Sequence, residues 1–429
     1  MPIDSALKRK SATDAESPWD AAAHVPDGAI LQADRQHATW TYTGILSASP
    51  PVVVTQDAPL DWIVELRDRN FALVGRLEPE VEALEWGYSR IGGCDALRMV
   101  LNRAFEDLGV ITVDYDVQIK VKNPTTHDYE LWWRGFIEGR QASFSDRERV
   151  VVDGFGYVSQ LQRILINRTY TSTEVSAIVT DILDTDVTPN TKIVKNAAKI
   201  ASTGVTPDSV VFANVTADQA IKTLAEIVGG REWGVDRTRD FYFQARVDTV
   251  LARYLPGRHV VNYRVLDSFG KITNRVKLEG GDVAGVKYQR TVNNAASQTK
   301  FGLREKVVVR TSIKTDAVAD AFAAAIMQEE ANIQRRADLE LRDITALVET
   351  TTPLGTVIVR GPLGGTTWGT KKWGTFLWGG ELKHQVNAIQ YRILTSGLLR
   401  VHMDLGQSRP DLMEILKDMG QRLEEVRAR

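Results

Sequence analysis

The residues of this chain that could perform acid–base or metal chemistry are few and scattered. Asp114 with Asp116, and Asp184 with Asp186, have the residue type of a glycosidase dyad or a cation site. Each pair lies near the end of a predicted element, where solvated turn carboxylates are common. The six histidines show no HExxH, HxH or comparable metal-binding spacing. We therefore assign no catalytic residue and no metal ligand.

Nucleotide and nucleophile motifs are also missing from the sequence. Gly154 and Gly156 lack the third glycine of a dinucleotide loop, and neither GxxxxGK[ST] nor GxSxG occurs. The single cysteine, Cys94, excludes an intramolecular disulfide framework and is expected to be a small buried residue in a chain folded in a reducing cytosol. These observations predict a protein that is not an enzyme and has no cofactor.

Composition limits the class of protein further. The 429 residues correspond to roughly three domains of about 150 residues. The 53 Lys and Arg residues nearly balance the 55 Asp and Glu residues, which argues against a dedicated nucleic-acid coat. No apolar run approaches the roughly 18 residues of a membrane span, and no apolar segment follows the charged N-terminus. We expect a chain that is neither membrane-inserted nor exported.

The elements that must position functional residues begin after an N-terminal arm. Residues 1–48 show neither helical nor strand periodicity and are predicted to form an extended arm. Trp19, Trp40 and Tyr42 are suited to anchor such an arm on a partner, and a floppy terminus is the alternative.

Residues 49–166 are predicted to form a mostly antiparallel β unit with one flanking helix. Apolar residues between Leu97 and Leu108 recur at helical spacing, with Asp95 as a cap and Gly109 as a stop. Strands are predicted on both sides of that helix. This unit is expected to be a β-barrel or sandwich.

Residues 167–255 have the pattern of a small α+β insert. Thr171 with Glu174, and Thr216 with Gln219, resemble capping boxes, and each precedes an amphipathic apolar stripe. A hairpin is predicted after the second helix.

Residues 256–407 return to a β pattern that surrounds one helix, predicted to begin after a Thr315 cap. The two outer units, 49–166 and 256–407, therefore share an order of strands, one helix and strands. We interpret this as a topological pseudo-repeat.

Three Trp-Gly pairs stand in a loop predicted at residues 364–380. Trp368, Trp373 and Trp378 recur at a spacing of five, which fits neither a helix nor a flat strand. Three interpretations stay open for these residues: core anchoring of a long hairpin, docking on another subunit, and stacking on a sugar.

Residues 408–429 are predicted to form a C-terminal amphipathic helix. Its seam repeats at spacings of 4, 3, 4 and 3, and consists of Leu412, Leu416, Met419, Leu423 and Val426. The seam favours either a coiled coil of more than two strands or packing on the chain's own domain. With the three tryptophans, these residues are the candidate interface to subunits or partners.

Several short motifs, in their order along the chain, resemble those of bacteriophage tail hub proteins. The likeness covers roughly residues 50–410, and the motifs are EWGYSR (85–90), WRGFIEG (133–139), residues 154–163 leading to NRTY (167–170), residues 224–243, and ITNRV (272–276). Each motif is loose by itself, whereas their order is more specific.

The resemblance implies a predominantly antiparallel α+β fold with two tail-tube-like β-barrels joined by smaller domains. It also implies a homotrimer whose six barrels form a pseudo-sixfold ring at the virion tail tip. Such a hub adapts the hexameric tube to a threefold fibre or spike, contacts the distal tail or tube protein, and lines the channel for tape-measure protein and DNA. It is made in the bacterial cytoplasm. The chain ends without a recognisable peptidase or muramidase module.

Two other functions stay open on the sequence alone. A receptor-binding adhesin would use the three tryptophans as a carbohydrate platform. A tail-associated cell-wall glycosidase would need a buried carboxylate pair brought together by folding.

Overall fold

The computed structural model describes the backbone of residues 30–34, 39–43, 61–102, 109–123, 126–144, 148–229, 231–246, 249–254, 260–268, 272–311, 313–331, 334–342, 354–360, 381–393 and 399–406. The chain divides into two compact units, Met1–Pro51 and Val52–Arg429. In the first unit the structure describes an antiparallel hairpin of two five-residue strands.

The described strands are, in chain order, β1 (Ile30–Asp34), β2 (Thr39–Thr43), β3 (Trp62–Arg67), β4 (Leu73–Arg76), β5 (Val81–Ser89), β6 (Gly92–Leu101), β7 (Asp116–Lys122), β8 (Tyr129–Phe144), β9 (Glu148–Gly156), β10 (Leu165–Thr171), β11 (Val194–Ile200), β12 (Ser209–Thr216), β13 (Arg231–Val235), β14 (Asp240–Ala245), β15 (Val250–Tyr254), β16 (Val260–Ser268), β17 (Arg275–Val283), β18 (Val286–Asn293), β19 (Glu305–Val309), β20 (Gln334–Arg342), β21 (Thr356–Arg360), β22 (Glu381–Ile393) and β23 (Leu399–Gly406). The described α-helices are α1 (Val175–Ile182), α2 (Ala217–Val228), α3 (Ala295–Phe301) and α4 (Asp316–Glu330).

One large sheet organises the second unit. Its strands follow the order β16-β20-β23-β22-β5-β6-β9-β8-β7-β3-β4. Two short branches extend it, β21 with β15 from β22, and β13 with β14 and β11 from β6. Most neighbours are antiparallel, and β4 and β16 are the two end strands. The predicted α+β fold with predominantly antiparallel sheet is confirmed.

Strand β22 joins the early and late parts of this sheet. It pairs with β23 on one side and with β5 on the other, with Tyr391 opposite Trp86. The rings of these two residues stack with their centroids 5.1 Å apart. Residues from both parts fill a single apolar core, which includes Val64, Trp133 and Val152 from the first part and Leu339 and Met403 from the second.

The helix predicted from Leu97 to Leu108 is wrong over its first half. Leu97, Met99 and Leu101 lie on strand β6 and are buried at every second position. The strand pairs with β5 on one side and β9 on the other, so the ladder bonds outweigh the helical spacing. Residues 103–108 lie outside the described residues.

The insert folds around a second apolar core. Helices α1 and α2 form where the apolar stripes predict them, and Gly229, with a φ of 68°, ends α2. The Thr171 capping box is wrong, because α1 begins at Val175 with Glu174 as its N-cap residue. Thr216 does occupy the N-cap position of α2, although its side chain makes no capping hydrogen bond. The predicted hairpin is present as β13 and β14.

The helix predicted after Thr315 is present as α4, with Thr315 as its N-cap residue. It packs on α2 and on the separate three-stranded sheet β18-β17-β19. Val318 and Phe322 of α4 therefore belong to the same core as Ile221 and Leu224 of α2. The domain boundaries given above stay predictions, and this helix lies with the insert's core rather than with the large sheet's core.

Candidate assembly surfaces

The interface residues predicted from the sequence lie outside the described residues. These residues are Trp368, Trp373, Trp378, Leu412, Leu416, Met419, Leu423 and Val426. The predicted Trp-Gly loop and C-terminal helix therefore stay predictions.

Each carboxylate of the two acidic pairs forms an ion pair with a basic side chain. Asp114 lies 3.5 Å from Arg69, and the buried Asp116 lies 2.7 Å from Arg134. Asp184 and Asp186 likewise pair with Lys195 and Arg168. Each carboxylate thus has its own cation, and this ion pair gives it a structural role.

The remaining candidate chemical groups are the cysteine and the possible metal ligands in the described part of the chain. Cys94 is buried, as expected. Among the described residues no group of three or more His, Cys, Asp and Glu side chains converges as a metal site. None of the described helices has the length and apolarity to cross a membrane.

A buried junction holds the insert against the large sheet. Strand β13 pairs in parallel with β6 at Gly234–Gly92 and Val235–Gly93. A Cβ atom on Gly93, whose φ is 83°, would lie 2.0 Å from the carbonyl oxygen of Val235, so only glycine permits this approach. Beside it, Arg90 and Glu232 form an ion pair at 3.2 Å with both side chains almost fully buried.

Strand β6 also carries an unusual carboxyl group. Asp95 follows Cys94 on β6, and its Cβ atom lies 3.2 Å from the position that a Cβ on Gly87 would occupy. Burial raises the pKa of Asp95 to about 6, although a hydrogen bond from the Ala96 backbone opposes the shift. At neutral pH this half-buried group is therefore ionised at a cost to stability.

The main strand order of the large sheet ends in two edge strands, β4 and β16. Strand β4 exposes Leu73 and Val74, and strand β16 exposes Val261 and Leu266, each between about two fifths and three fifths of its maximum. Neither strand has a second neighbour among the described residues. Open edges with apolar side chains are ready to pair with another chain, and soluble proteins cover or disrupt them. These two edges are the candidate assembly surfaces.

A cluster of cations lies next to the β4 edge. Phe71, in the turn between β3 and β4, is surrounded by Arg134 of β8 and by Lys192 and Arg239 of the insert. We call these four residues the Phe71 cage. Burial, and then the neighbouring Arg134, lowers the pKa of Arg239, while Tyr157, Asp116 and Asp240 partly offset the effect.

A buried hydrogen-bond network supports the cage from below. Asp116 accepts hydrogen bonds from Arg134 at 2.7 Å, from the Tyr157 hydroxyl at 2.7 Å and from Gln118 at 2.9 Å. Burial and the Asp116 charge raise the pKa of Tyr157, which keeps its hydroxyl a donor. Arg134 is thereby fixed against Phe71. The sequence indicated Asp116 only as half of an acidic pair.

Solved structures of phage tail proteins share this fold. The chain is similar to the 43 kDa tail protein of prophage MuSo2 from Shewanella oneidensis, at 12% identity and a TM-score of 0.56, over 82% of this chain and 98% of that one. A tail protein from Neisseria meningitidis MC58 matches at 11% identity and a TM-score of 0.58, over 80% and 96% of the chains. Prophage tail protein gp18 from Listeria monocytogenes EGD-e matches at 12% identity and a TM-score of 0.53, over 85% and 99%.

No protein-family model and no curated protein sequence matches this chain. The similarity is therefore seen in the three-dimensional structure, at sequence identities of 11–12% and over nearly the whole length of the similar proteins. The chain has the fold of bacteriophage tail proteins, as its sequence motifs predict.

Proposed function

We propose that this protein is a structural component of a bacteriophage-type tail, the hub at the tail tip, and that it acts as a homotrimer. Three chains with two β units each form a ring of pseudo-sixfold symmetry. The ring adapts the hexameric tube to threefold fibre or spike proteins, and its lumen passes tape-measure protein and DNA during ejection. Its role is architectural and not enzymatic.

The observation that carries this proposal is the single large sheet, whose main strand order ends in two different edge strands, β4 and β16. A head-to-tail contact between unlike edges repeats around an axis and closes into a ring when the rotation permits. The exposed apolar residues of β4 and β16 become buried in such a ring. The shared fold with phage tail proteins supports the tail as the place of assembly.

The predicted partner contacts complete the proposal. The Trp-Gly loop at 364–380 and the heptad seam at 408–429 are proposed to meet neighbouring subunits and a threefold tip protein. The arm at 1–48 is proposed to lie on a partner, and in it the structure describes the hairpin β1–β2.

Light scattering of the full-length protein, alone and with its tube partner, tests the oligomeric state. We expect a complex containing three chains of 47.7 kDa each. A mass of one or two chains in both preparations would contradict the proposal.

Negative-stain images of particles labelled with an antibody to this chain should show the label at the tail tip. Label along the tube or on the head would contradict that location.

A further inference from the structure

We propose that the Phe71 cage is a binding site for a carboxylate group carried by a partner protein. The inference rests on the proposed function in one respect, because it assumes that the chain assembles with other proteins. The site lies on described residues of three elements: the β3–β4 turn, strand β8 and the insert.

Three cations converge on one aromatic ring. The Cζ atom of Arg239 lies 4.0 Å from the ring centroid of Phe71, the Cζ atom of Arg134 lies 4.9 Å from it, and the Nζ atom of Lys192 lies 5.6 Å from it. Each distance is within the range of a cation–π contact. The ring therefore gathers positive charges that would otherwise repel one another.

The charges of the cage are only partly compensated. Arg134 pairs with the buried Asp116, whereas neither Lys192 nor Arg239 has an ion pair among the described residues. One guanidinium N–H of Arg239 donates to the carbonyl oxygen of Lys192 at 3.2 Å. The Nε atom of Arg239 is buried and has no hydrogen-bond acceptor in the described part of the chain. A buried donor without an acceptor is rare in native proteins, and an acceptor group on a ligand would satisfy it.

The backbone holds the cage in an unfavourable conformation. Phe71 and Arg239 have φ values of 67° and 70°, in a region that side chains other than glycine, asparagine and aspartate seldom adopt. The turn around Phe71 is fixed by Arg67, which donates to the Phe71 carbonyl oxygen at 2.9 Å. Two strained residues that meet at one charged cluster are typical of a functional site.

The surroundings favour a protein over a nucleic acid as the ligand. Lys192 is exposed, so the cage opens to solvent, and the adjacent β4 edge exposes Leu73 and Val74. An apolar edge next to two uncompensated cations suits a peptide segment with an acidic residue. A nucleic acid requires a series of cations along its backbone, and the chain as a whole has a net charge of -2.

Carbodiimide coupling tests the site directly, because it joins a bound carboxylate to a nearby amine. The probe is a blocked peptide, acetyl-Val-Glu-Val-amide, and mass spectrometry measures its attachment to each lysine. The coupling measured at each lysine is divided by the reactivity of the same lysine toward a neutral acetylating reagent. We expect at least about fivefold more coupling at Lys192 than at Lys287, which is exposed on β18. Equal coupling at the two lysines would overturn the proposal.

Variants separate binding from folding. In Arg239→Gln, we expect the excess coupling at Lys192 to disappear, whereas Arg239→Lys retains most of it because the charge remains. Circular dichroism identifies any variant that fails to fold, and in that case competition by free glutarate against the probe on the wild-type protein decides. Unchanged coupling in a folded Arg239→Gln, or no competition by glutarate, would contradict the assignment.

Two further outcomes can be distinguished: binding of a nucleic acid at the cage, and failure of the chain to form a trimer. Protection of Lys192 by a thymidine oligonucleotide, where the same concentration of inorganic phosphate has no effect, would overturn the choice of a protein partner. The peptide supplies its own carboxylate, so coupling occurs whether or not the chain is a trimer. If the protein has the mass of a trimer but Lys192 does not couple, the proposed site is wrong and the proposed function is unaffected. If Lys192 couples but the protein has the mass of a monomer, the site is supported and the proposed function is wrong.

Discussion

Several single residues of this protein have environments that the sequence does not predict. Asp95 is predicted as a helix cap, but it lies on strand β6 with a pKa raised by burial. Phe71 and Arg239 become neighbours only through the fold, and nothing in their local sequence indicates a left-handed backbone. The burial of Cys94, by contrast, is predicted correctly, because it follows from residue type alone.

Stability should depend on pH through Asp95. The folded pKa of about 6 lies above the usual 3.8, so the folded state holds a proton that the unfolded state has released between these values. This group therefore makes the free energy of unfolding fall as pH rises from about 4 to about 6. Asp95→Asn removes this loss, and we expect it to be more stable than wild type by about 1 to 3 kcal/mol at pH 7.5 and nearly equal at pH 4.

Urea unfolding followed by tryptophan fluorescence at both pH values measures this difference. Asp338→Asn is the matched control, since Asp338 is exposed on β20. It should not remove the pH dependence that Asp95→Asn removes. If Asp95→Asn shows the wild-type pH dependence, then Asp95 is not the group responsible.

Elements were predicted best where their pattern is local. Helices α2 and α4 and the β13–β14 hairpin form where their periodicity and turn residues place them. Strand β6 was predicted as helix because a short apolar run satisfies both periods, and only its two neighbours decide between them. The contact of β13 with β6 could not be predicted, since it consists of only two residue pairs, Gly234 with Gly92 and Val235 with Gly93, that are far apart in sequence.

The ion pair at this contact should matter more than an exposed one of the same chemistry. Glu232→Gln leaves the buried Arg90 without its counter-charge, and we expect a loss of about 3 kcal/mol in the free energy of unfolding. Glu138→Gln breaks the exposed pair of Glu138 with Arg163, and its loss should stay below about 1 kcal/mol. Thermal or urea unfolding of the two variants provides the comparison, and equal losses would show that the junction is not dependent on this charge pair.

For the whole molecule, the sequence predicts the fold class, and the order of its motifs predicts the type of protein. It does not predict that the early and late β units share one sheet and one core. That pairing joins Trp86 to Tyr391, and no local pattern encodes contacts between such distant segments. The candidate surfaces follow from this sheet, because its ends define which strands remain open.

A single charge at the β16 edge should weaken assembly. Leu266 is 57% exposed on this edge, and Leu266→Lys places a charge where a neighbouring chain is proposed to pack. We expect its mass in light scattering to shift toward one chain, with the melting temperature of the single chain unchanged. Val211→Lys, at a 64% exposed position on β12 outside the large sheet, should keep the wild-type mass. Identical masses for both variants would exclude the β16 edge.

The pairing of β22 with β5 also constrains how the protein is made. Strand β5 leaves the ribosome long before residues 381–393 are synthesised. One edge of β5 therefore stays unpaired while most of the chain is still being translated. Contacts between such distant segments slow folding. During that interval an apolar strand is open to aggregation, and we expect the nascent chain to depend on chaperones until β22 emerges.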